Sequence, residues 1–133
     1  MNTALIEQLQ SDYPEFRFLK GAKFLFRPPR TIYYMPDAVE YGDLLLMHEL
    51  GHAVLHHRDF RTNAERVKME RAAWEKAREL CKLYGVEFRD DVAQGELDSY
   101  RDWLHQKSRC PKCGLTRFQT PDGVYHCPKC DLF

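Results

Sequence analysis

The sequence has no excess of either charge, because its 20 lysines and arginines balance its 20 aspartates and glutamates. A chain without net charge is not attracted as a whole to nucleic acid or to an anionic membrane. Either kind of binding would need a local patch of basic residues. No apolar run approaches the roughly 20 residues of a membrane-spanning helix. The N-terminus also lacks the apolar segment typical of a signal peptide. We therefore expect a cytoplasmic protein that makes no membrane contact.

The composition is that of a globular protein, with 44% hydrophobic and 30% charged residues. A length of 133 residues allows one ordinary domain and a small appendage. Four of the five cysteines form two Cys-Pro-Lys-Cys pairs near the C-terminus. In a reducing compartment such pairs indicate a metal site rather than disulfides. We expect one domain over residues 1–107 and a second over residues 108–133.

One stretch, residues 44–56, predicts a buried helix, because its apolar residues point in every direction. The same stretch contains His48, Glu49 and His52, and burying a carboxylate without a partner is costly. Histidines four residues apart share a helix face and can reach one tetrahedral zinc. The spacing therefore predicts His48 and His52 as zinc ligands and Glu49 as the general base that acts on a water.

The next helix, predicted over residues 64–84, offers a third ligand. Its inward stripe contains one charged residue, Glu70, which is unfavourable there unless a cation meets it. A zinc held by the two histidines would be that cation. The alternative is that Glu70 lies at the helix edge and pairs with an arginine. Two histidines and one glutamate leave the fourth zinc position open, as in catalytic sites. The stripe consists of Val67, Glu70, Trp74, Ala77, Cys81 and Tyr84.

Two further histidines follow the motif, and neither is expected to bind the zinc. A helix rises about 6 Å over four residues, so His56 lies too far from a zinc between His48 and His52. His57 could bind only if the helix broke after His52, and no glycine is placed to break it. We expect His56 either to contact a zinc ligand without binding the metal itself or to lie at the helix end, where a cation or donor suits the last turn.

The segments before the motif predict a small antiparallel sheet. Residues 2–11 predict a short helix, and apolar alternation over residues 16–26 predicts a hairpin around Gly21. Residues 31–34 predict a strand, closed by a proline. The edge of that strand could pair with an extended peptide, or the strands could merely cover the helix.

Three single features locate helix ends and contacts. Asp43 is the better of two candidate N-caps for the motif helix. Gly51 costs about 1 kcal/mol in a helix interior, which suggests that another backbone passes close to it. Gly85 is expected to end the following helix as a C-cap. A last helix is predicted over residues 96–107.

The run from His48 to His56 resembles the HELGHxxLH signature of the ImmA/IrrE-type metallopeptidases. The second motif of that family is similar to Glu70 followed by Ala73 and Ala77, whereas Trp74 and Lys76 depart from it. The resemblance covers roughly residues 25–84. It implies a zincin-like α+β fold, zinc held by His48, His52 and Glu70, and Glu49 as the base. It further implies regulated cleavage of a protein such as a transcriptional repressor.

The cysteine segment resembles a zinc ribbon. The run Pro121-Asp122-Gly123 predicts a turn between two short strands. Two Cys-x-x-Cys turns separated by such a hairpin give a closed tetrahedral thiolate site, here predicted from Cys110, Cys113, Cys127 and Cys130. Iron is the alternative to zinc at this second, structural site. Some twenty-five residues cannot bury enough core to fold alone, so metal binding and folding should be coupled.

The sequence allows more than one role for the ribbon. Its basic and aromatic residues could contact nucleic acid, although a protein-binding or capping role is favoured. These residues are Lys112, Arg117, Phe118, Tyr125, His126 and Lys129.

The patterns together predict a zinc endopeptidase that acts on a protein or peptide substrate. A SprT-like, DNA-associated protease is the enzymatic alternative, since it also joins HExxH to a cysteine ribbon, with a histidine as third ligand. A non-enzymatic, zinc-stabilised binding module is the alternative from another class, and it would have no need of Glu49.

Overall fold

The computed structural model describes residues 2–38 and 40–131. That part of the chain is α+β, with four helices, a three-stranded sheet and a two-stranded sheet. Its contacts divide the chain into two compact units. The first is Met1–Arg58 with Ala72–Arg89, and the second is Asp59–Arg71 with Asp90–Phe133. Within the described ranges, no helix is both long enough and apolar enough to cross a membrane.

The sheet of the first unit is mixed rather than antiparallel as expected. Strands β1 (Arg17–Lys20), β2 (Leu25–Arg27) and β3 (Thr31–Tyr34) lie in the order β1-β3-β2. Strand β3 pairs with β1 in parallel and with β2 antiparallel. The predicted strand over residues 31–34 is confirmed, but it occupies the centre of the sheet. The expectation that its own edge could receive a peptide is therefore wrong, because both of its edges are paired.

The predicted hairpin over residues 16–26 is also wrong, although both of its strands exist. Alternation of apolar residues identifies a strand but not its partner, and the tight reversal falls one strand later, at residues 28–30. The segment after β1 does not turn back to pair with β1. It stays beside β3, where the Gly21 amide donates to the Tyr34 carbonyl at 2.9 Å. The hairpin is consequently formed by β2 and β3.

Helix α2 (Gly42–Val54) carries the histidine motif and contacts β2 and β3. Its N-cap is Tyr41, a left-handed residue whose side chain makes no capping hydrogen bond. The prediction of Asp43 as N-cap is wrong, because Asp43 lies in the first turn, where its charge still suits the helix dipole. Leu46, Met47 and Leu50 are fully buried, so the helix has the central position that its composition predicted.

Helices α1 (Thr3–Asp12) and α3 (Asn63–Tyr84) follow the sequence prediction closely. Gly85 takes φ +68°, and the next amide donates to the Cys81 carbonyl at 2.9 Å, so the predicted glycine C-cap is confirmed. The Tyr84 hydroxyl donates to Asp12 at 2.7 Å, which ties the ends of the two helices together. Their buried residues are Leu5, Ile6, Leu9, Ala73, Trp74, Ala77, Leu80 and Cys81.

The second unit contains the start of α3, helix α4 (Asp90–Ser108), and strands β4 (Phe118–Gln119) and β5 (Tyr125–His126). Helix α4 begins six residues before the predicted start. The antiparallel pair β4–β5 turns at Gly123, whose φ is +86°, as the sequence predicted. The buried apolar residues of this unit are few, namely Ala93, Leu97, Cys110 and Cys127. The unit therefore needs another source of stability, which the cysteines can provide.

Candidate metal centres

Two groups of side chains in the described residues could hold a metal ion, and both were predicted from the sequence. In the first group, ligand atoms of His48, His52 and Glu70 lie within 4.8 Å of one another. Zinc bonds to nitrogen and oxygen are about 2.0–2.2 Å, so donor atoms that share one ion lie within roughly 4.4 Å of one another, which is close to the separation found here. Nitrogen and carboxylate donors of this kind suit zinc. The residues present thus fit the metal that the pattern implies.

Helices α2 and α3 cross closely at Gly51 within the first unit. A Cβ on Gly51 would lie only 2.6 Å from the Ala73 carbonyl oxygen, so this position admits no side chain without a backbone shift. The expectation that a second backbone passes close to Gly51 is confirmed. Glu70 precedes Ala73 by about one helical turn on the continuous helix α3. Residues three apart share a helix face, so Glu70 and Ala73 lie on the same face of α3.

Glu49 is held by the backbone of the sheet. Its Oε2 accepts a hydrogen bond from the Phe26 amide at 2.9 Å, and its Oε1 lies 3.8 Å from Nδ1 of His48. Strand β2 pairs with β3 on one side only, and the Phe26 amide points away from that pairing. A residue of an edge strand thus fixes the carboxylate beside the ligand pair. This contact could not be predicted from the sequence, because it depends on how β2 pairs.

His48 is stacked on Trp74, with ring centroids 4.1 Å apart and planes inclined by only 7°. The indole is 2% exposed, so it forms one wall of the site and excludes water from that side of the imidazole. Within the described chain the indole N–H has no hydrogen-bond partner. The inward stripe of α3 had predicted that Trp74 is buried, but not that it contacts a ligand candidate.

His52 contacts a second histidine, His57, which lies just beyond the end of helix α2. Helix α2 ends at Val54, and His56 adopts φ +57° in place of the glycine usual at such a point. The chain therefore turns back, and Nδ1 of His57 comes within 2.8 Å of Nδ1 of His52. The premise that nothing breaks the helix before His57 is wrong. His56 itself lies at the helix end and is exposed, as expected.

Glu70 has a neighbour of its own within the second unit. Burial raises the pKa of the Tyr100 phenol, and the negative charge of Glu70 and their mutual hydrogen bond raise that pKa further. The positive charge of Arg66 acts in the opposite direction. The guanidinium of Arg66 lies over the Tyr100 ring and over the Trp103 ring, at 5.2 and 5.0 Å. Tyr100 thus remains a protonated donor that can fix the orientation of the Glu70 carboxylate.

The second group is the four-cysteine cluster, whose sulfur atoms also lie within 4.8 Å of one another. Sγ of Cys113 lies 3.5 Å from Sγ of Cys127, and Sγ of Cys110 lies 3.9 Å from Sγ of Cys130. The thiols of the first Cys-x-x-Cys turn therefore contact those of the second. Gly114 follows the first turn at φ +78°, and its amide donates to the Cys110 carbonyl. Four thiols at tetrahedral spacing can bind one metal ion and leave no open position.

The thiols of this cluster differ in acidity. Amide groups of Cys113 and Lys112 lower the pKa of the Cys110 thiol to about 6, because they stabilise its thiolate. Hydrogen bonding to the other sulfur atoms, chiefly that of Cys113, raises the pKa of Cys130 to about 12. A metal ion requires thiolates and would take the place of the shared protons. Cys81, in contrast, is buried, and burial raises its pKa to about 11, so it is an inert core residue.

Several basic and aromatic residues of the cysteine segment contact one another. Arg117 lies over the Tyr125 ring at 4.8 Å and donates to the Lys107 carbonyl. The Tyr125 hydroxyl accepts from the Asn63 side chain at 2.8 Å, which joins the hairpin to the start of α3 within the second unit. These contacts give Arg117 and Tyr125 a structural role.

Comparisons with family models, with curated proteins and with solved structures found no match for this chain.

Proposed function

We propose that this protein is a zinc-dependent endopeptidase with a zincin-like catalytic domain and a C-terminal zinc ribbon. The observation that carries the proposal is the grouping of ligand atoms of His48, His52 and Glu70 within 4.8 Å, next to the carboxylate of Glu49. A purely structural site would have no need of a base beside its ligands. The resemblance of the motif to the ImmA/IrrE-type metallopeptidases supports the same conclusion.

The ligand set suits catalysis because it is incomplete. Two histidines and one carboxylate supply three of the four positions of a tetrahedral zinc. A zinc ion bound there supplies Lewis acidity, which lowers the pKa of a water and polarises a carbonyl group. The four cysteines, in contrast, supply a full set, and we assign them a structural zinc.

Glu49 performs the proton transfers in this proposal. Its carboxylate takes a proton from the attacking water and passes that proton to the amine that leaves when the peptide bond breaks. Such transfers need a fixed carboxylate, and the Phe26 amide holds one of its oxygens at 2.9 Å. The other oxygen remains available to the water. The flat indole of Trp74 limits the access of bulk solvent behind His48.

The substrate is a protein or peptide. The family resemblance suggests a regulatory protein such as a transcriptional repressor, cleaved at a defined bond. The SprT-like alternative predicts that DNA stimulates cleavage, whereas our proposal predicts a rate that does not depend on DNA. Measuring cleavage with and without single- and double-stranded DNA separates the two enzymes.

The direct test is the Glu49→Gln variant. The amide oxygen can still accept from the Phe26 amide, so the variant should fold and bind two zinc ions per chain. It cannot take a proton, and we expect cleavage to fall by about 10²–10⁴-fold. A peptide library analysed by mass spectrometry would supply the substrates, with Glu79→Gln on the exposed face of α3 as matched control.

Two outcomes would contradict the proposal. Zinc-loaded wild-type protein that cleaves no peptide in the library would favour the non-enzymatic binding module. Equal cleavage by the wild type and by Glu49→Gln would remove the proposed general base.

A further inference from the structure

The backbone at the end of α2 places His57 beside His52. The His57 amide donates to the His52 carbonyl at 3.0 Å, and the His56 amide donates to the Ala53 carbonyl at 3.0 Å. This pair of bonds, around a left-handed residue at φ +57°, is the Schellman motif that ends many helices. The position of His57 is therefore set by helix termination and not by a flexible loop.

The two imidazoles form a specific contact. Their Nδ1 atoms are 2.8 Å apart, and the rings meet edge-on with centroids separated by 5.0 Å. His52 is 8% exposed, and His57 is half-buried. Two ring nitrogens at this distance share one proton, so one ring donates and the other accepts.

Metal binding by His52 requires one direction of that hydrogen bond. A metal-binding imidazole offers a lone pair on one nitrogen and carries its proton on the other. Since Nδ1 of His52 faces His57, Nε2 is the nitrogen left for the metal. Nδ1 must then carry the proton and donate it, and His57 must accept on its own Nδ1. The reverse arrangement would protonate Nε2 of His52 and block the ligand.

We propose that His57 is the positioning residue of His52 and selects the tautomer and ring orientation in which Nε2 carries the lone pair that binds zinc. The proposal rests on the metal site of the proposed function. Groups that accept a hydrogen bond from a metal-binding histidine typically contribute 10–100-fold to metal affinity. His57 is neither a ligand nor a base in this scheme.

The first experiment measures zinc affinity of the full chain by competition with a chelator. His57→Phe keeps a ring but removes the acceptor, and we expect the α2 site to bind zinc about 10–100-fold more weakly, with the cysteine site unchanged. His57→Gln offers an amide oxygen to His52 and should recover part of the affinity. His56→Asn is the matched control, because asparagine tolerates the left-handed conformation and the residue is exposed.

The second experiment reads the tautomer directly, by long-range ¹⁵N–¹H correlation of the histidine rings in the zinc-loaded full chain. We expect the proton of His52 on Nδ1 and the metal on Nε2. Zinc on Nδ1 of His52, or an unchanged affinity in His57→Phe, would overturn the positioning role.

Failure of the proposed function gives a different result. If the wild type bound one zinc only, at the cysteines, the catalytic zinc site would be wrong, and the tautomer of His52 would still be measurable. In that chain, a proton on Nδ1 of His52 would retain the positioning contact, whereas a proton on Nε2 would overturn it.

Discussion

The two candidate metal centres differ in how the chain assembles them. The four cysteines come from two tight turns of one short hairpin, so their arrangement is local. His48 and His52 lie on α2, and Glu70 lies on α3, so the second arrangement depends on how two helices pack. A metal at the cysteine site can therefore stabilise the segment around it, whereas the histidine site forms only when its two helices have already packed. Removing each metal should therefore have different consequences.

The largest expected effect is the loss of structure around the cysteines. Cys127→Ser removes a buried ligand, and the second unit has few buried apolar residues to compensate for a lost metal. We expect one zinc per chain instead of two, and unfolding of residues 108–131, because metal binding and folding are coupled in such small modules. Metal analysis and amide hydrogen exchange would measure both effects.

The matched control is Cys81→Ala, which removes the fifth cysteine. This thiol is buried in α3 outside the cluster, so the variant should keep both zinc ions and the exchange protection of residues 108–131. Two zinc ions and a protected hairpin in Cys127→Ser would contradict the assignment of the cluster.

A smaller and purely local effect is expected at the histidine site. Glu70→Ala removes one of three ligands, so we expect the chain to lose zinc from this site only and to keep its helices. Metal analysis would give one zinc per chain, and circular dichroism would be nearly unchanged. Glu79→Ala on the same helix is the control, since its exposed pairing with Lys76 is worth little. Full zinc content in Glu70→Ala would show that the ligand assignment is wrong.

The same contrast explains what could be predicted from the sequence. The bounds of α1 and α3, the glycine cap at Gly85 and the turn at Gly123 depend on local patterns, and they are confirmed. The pairing of β2 with β3 depends on contacts between strands, which alternation does not encode. The division into domains at residue 108 stays a prediction.

Within the candidate site, the grouped ligand candidates were predictable and their neighbours were not. The spacing of His48 and His52 and the stripe that contains Glu70 follow from helical periodicity. The contact of His57 was missed because a histidine, His56, adopts the left-handed conformation that sequence reasoning reserves for glycine. The Phe26 amide was missed because backbone groups have no signature in the sequence.

A substitution at Gly51 tests how far the histidine site depends on the packing of α2 against α3. An alanine there would place Cβ 2.6 Å from the Ala73 carbonyl oxygen, a backbone atom that cannot swing aside. Overpacking costs about 1–3 kcal/mol, and a clash with a backbone atom belongs to the upper part of that range, about 2–3 kcal/mol, against a gain in helix propensity of about 1 kcal/mol. We expect Gly51→Ala to lower the free energy of unfolding by about 1–2 kcal/mol and to weaken zinc binding at the histidine site, with the cysteine site unchanged.

Gly95→Ala, also within a helix, is expected to change the free energy of unfolding in the opposite direction. Gly95 lies in α4, and a Cβ there would meet no atom within 4 Å. Only the propensity gain remains, so this variant should be more stable by about 0.5–1 kcal/mol. Denaturant unfolding of the two variants gives the comparison. If both substitutions stabilised the chain equally, the close crossing of α2 and α3 at Gly51 would be wrong.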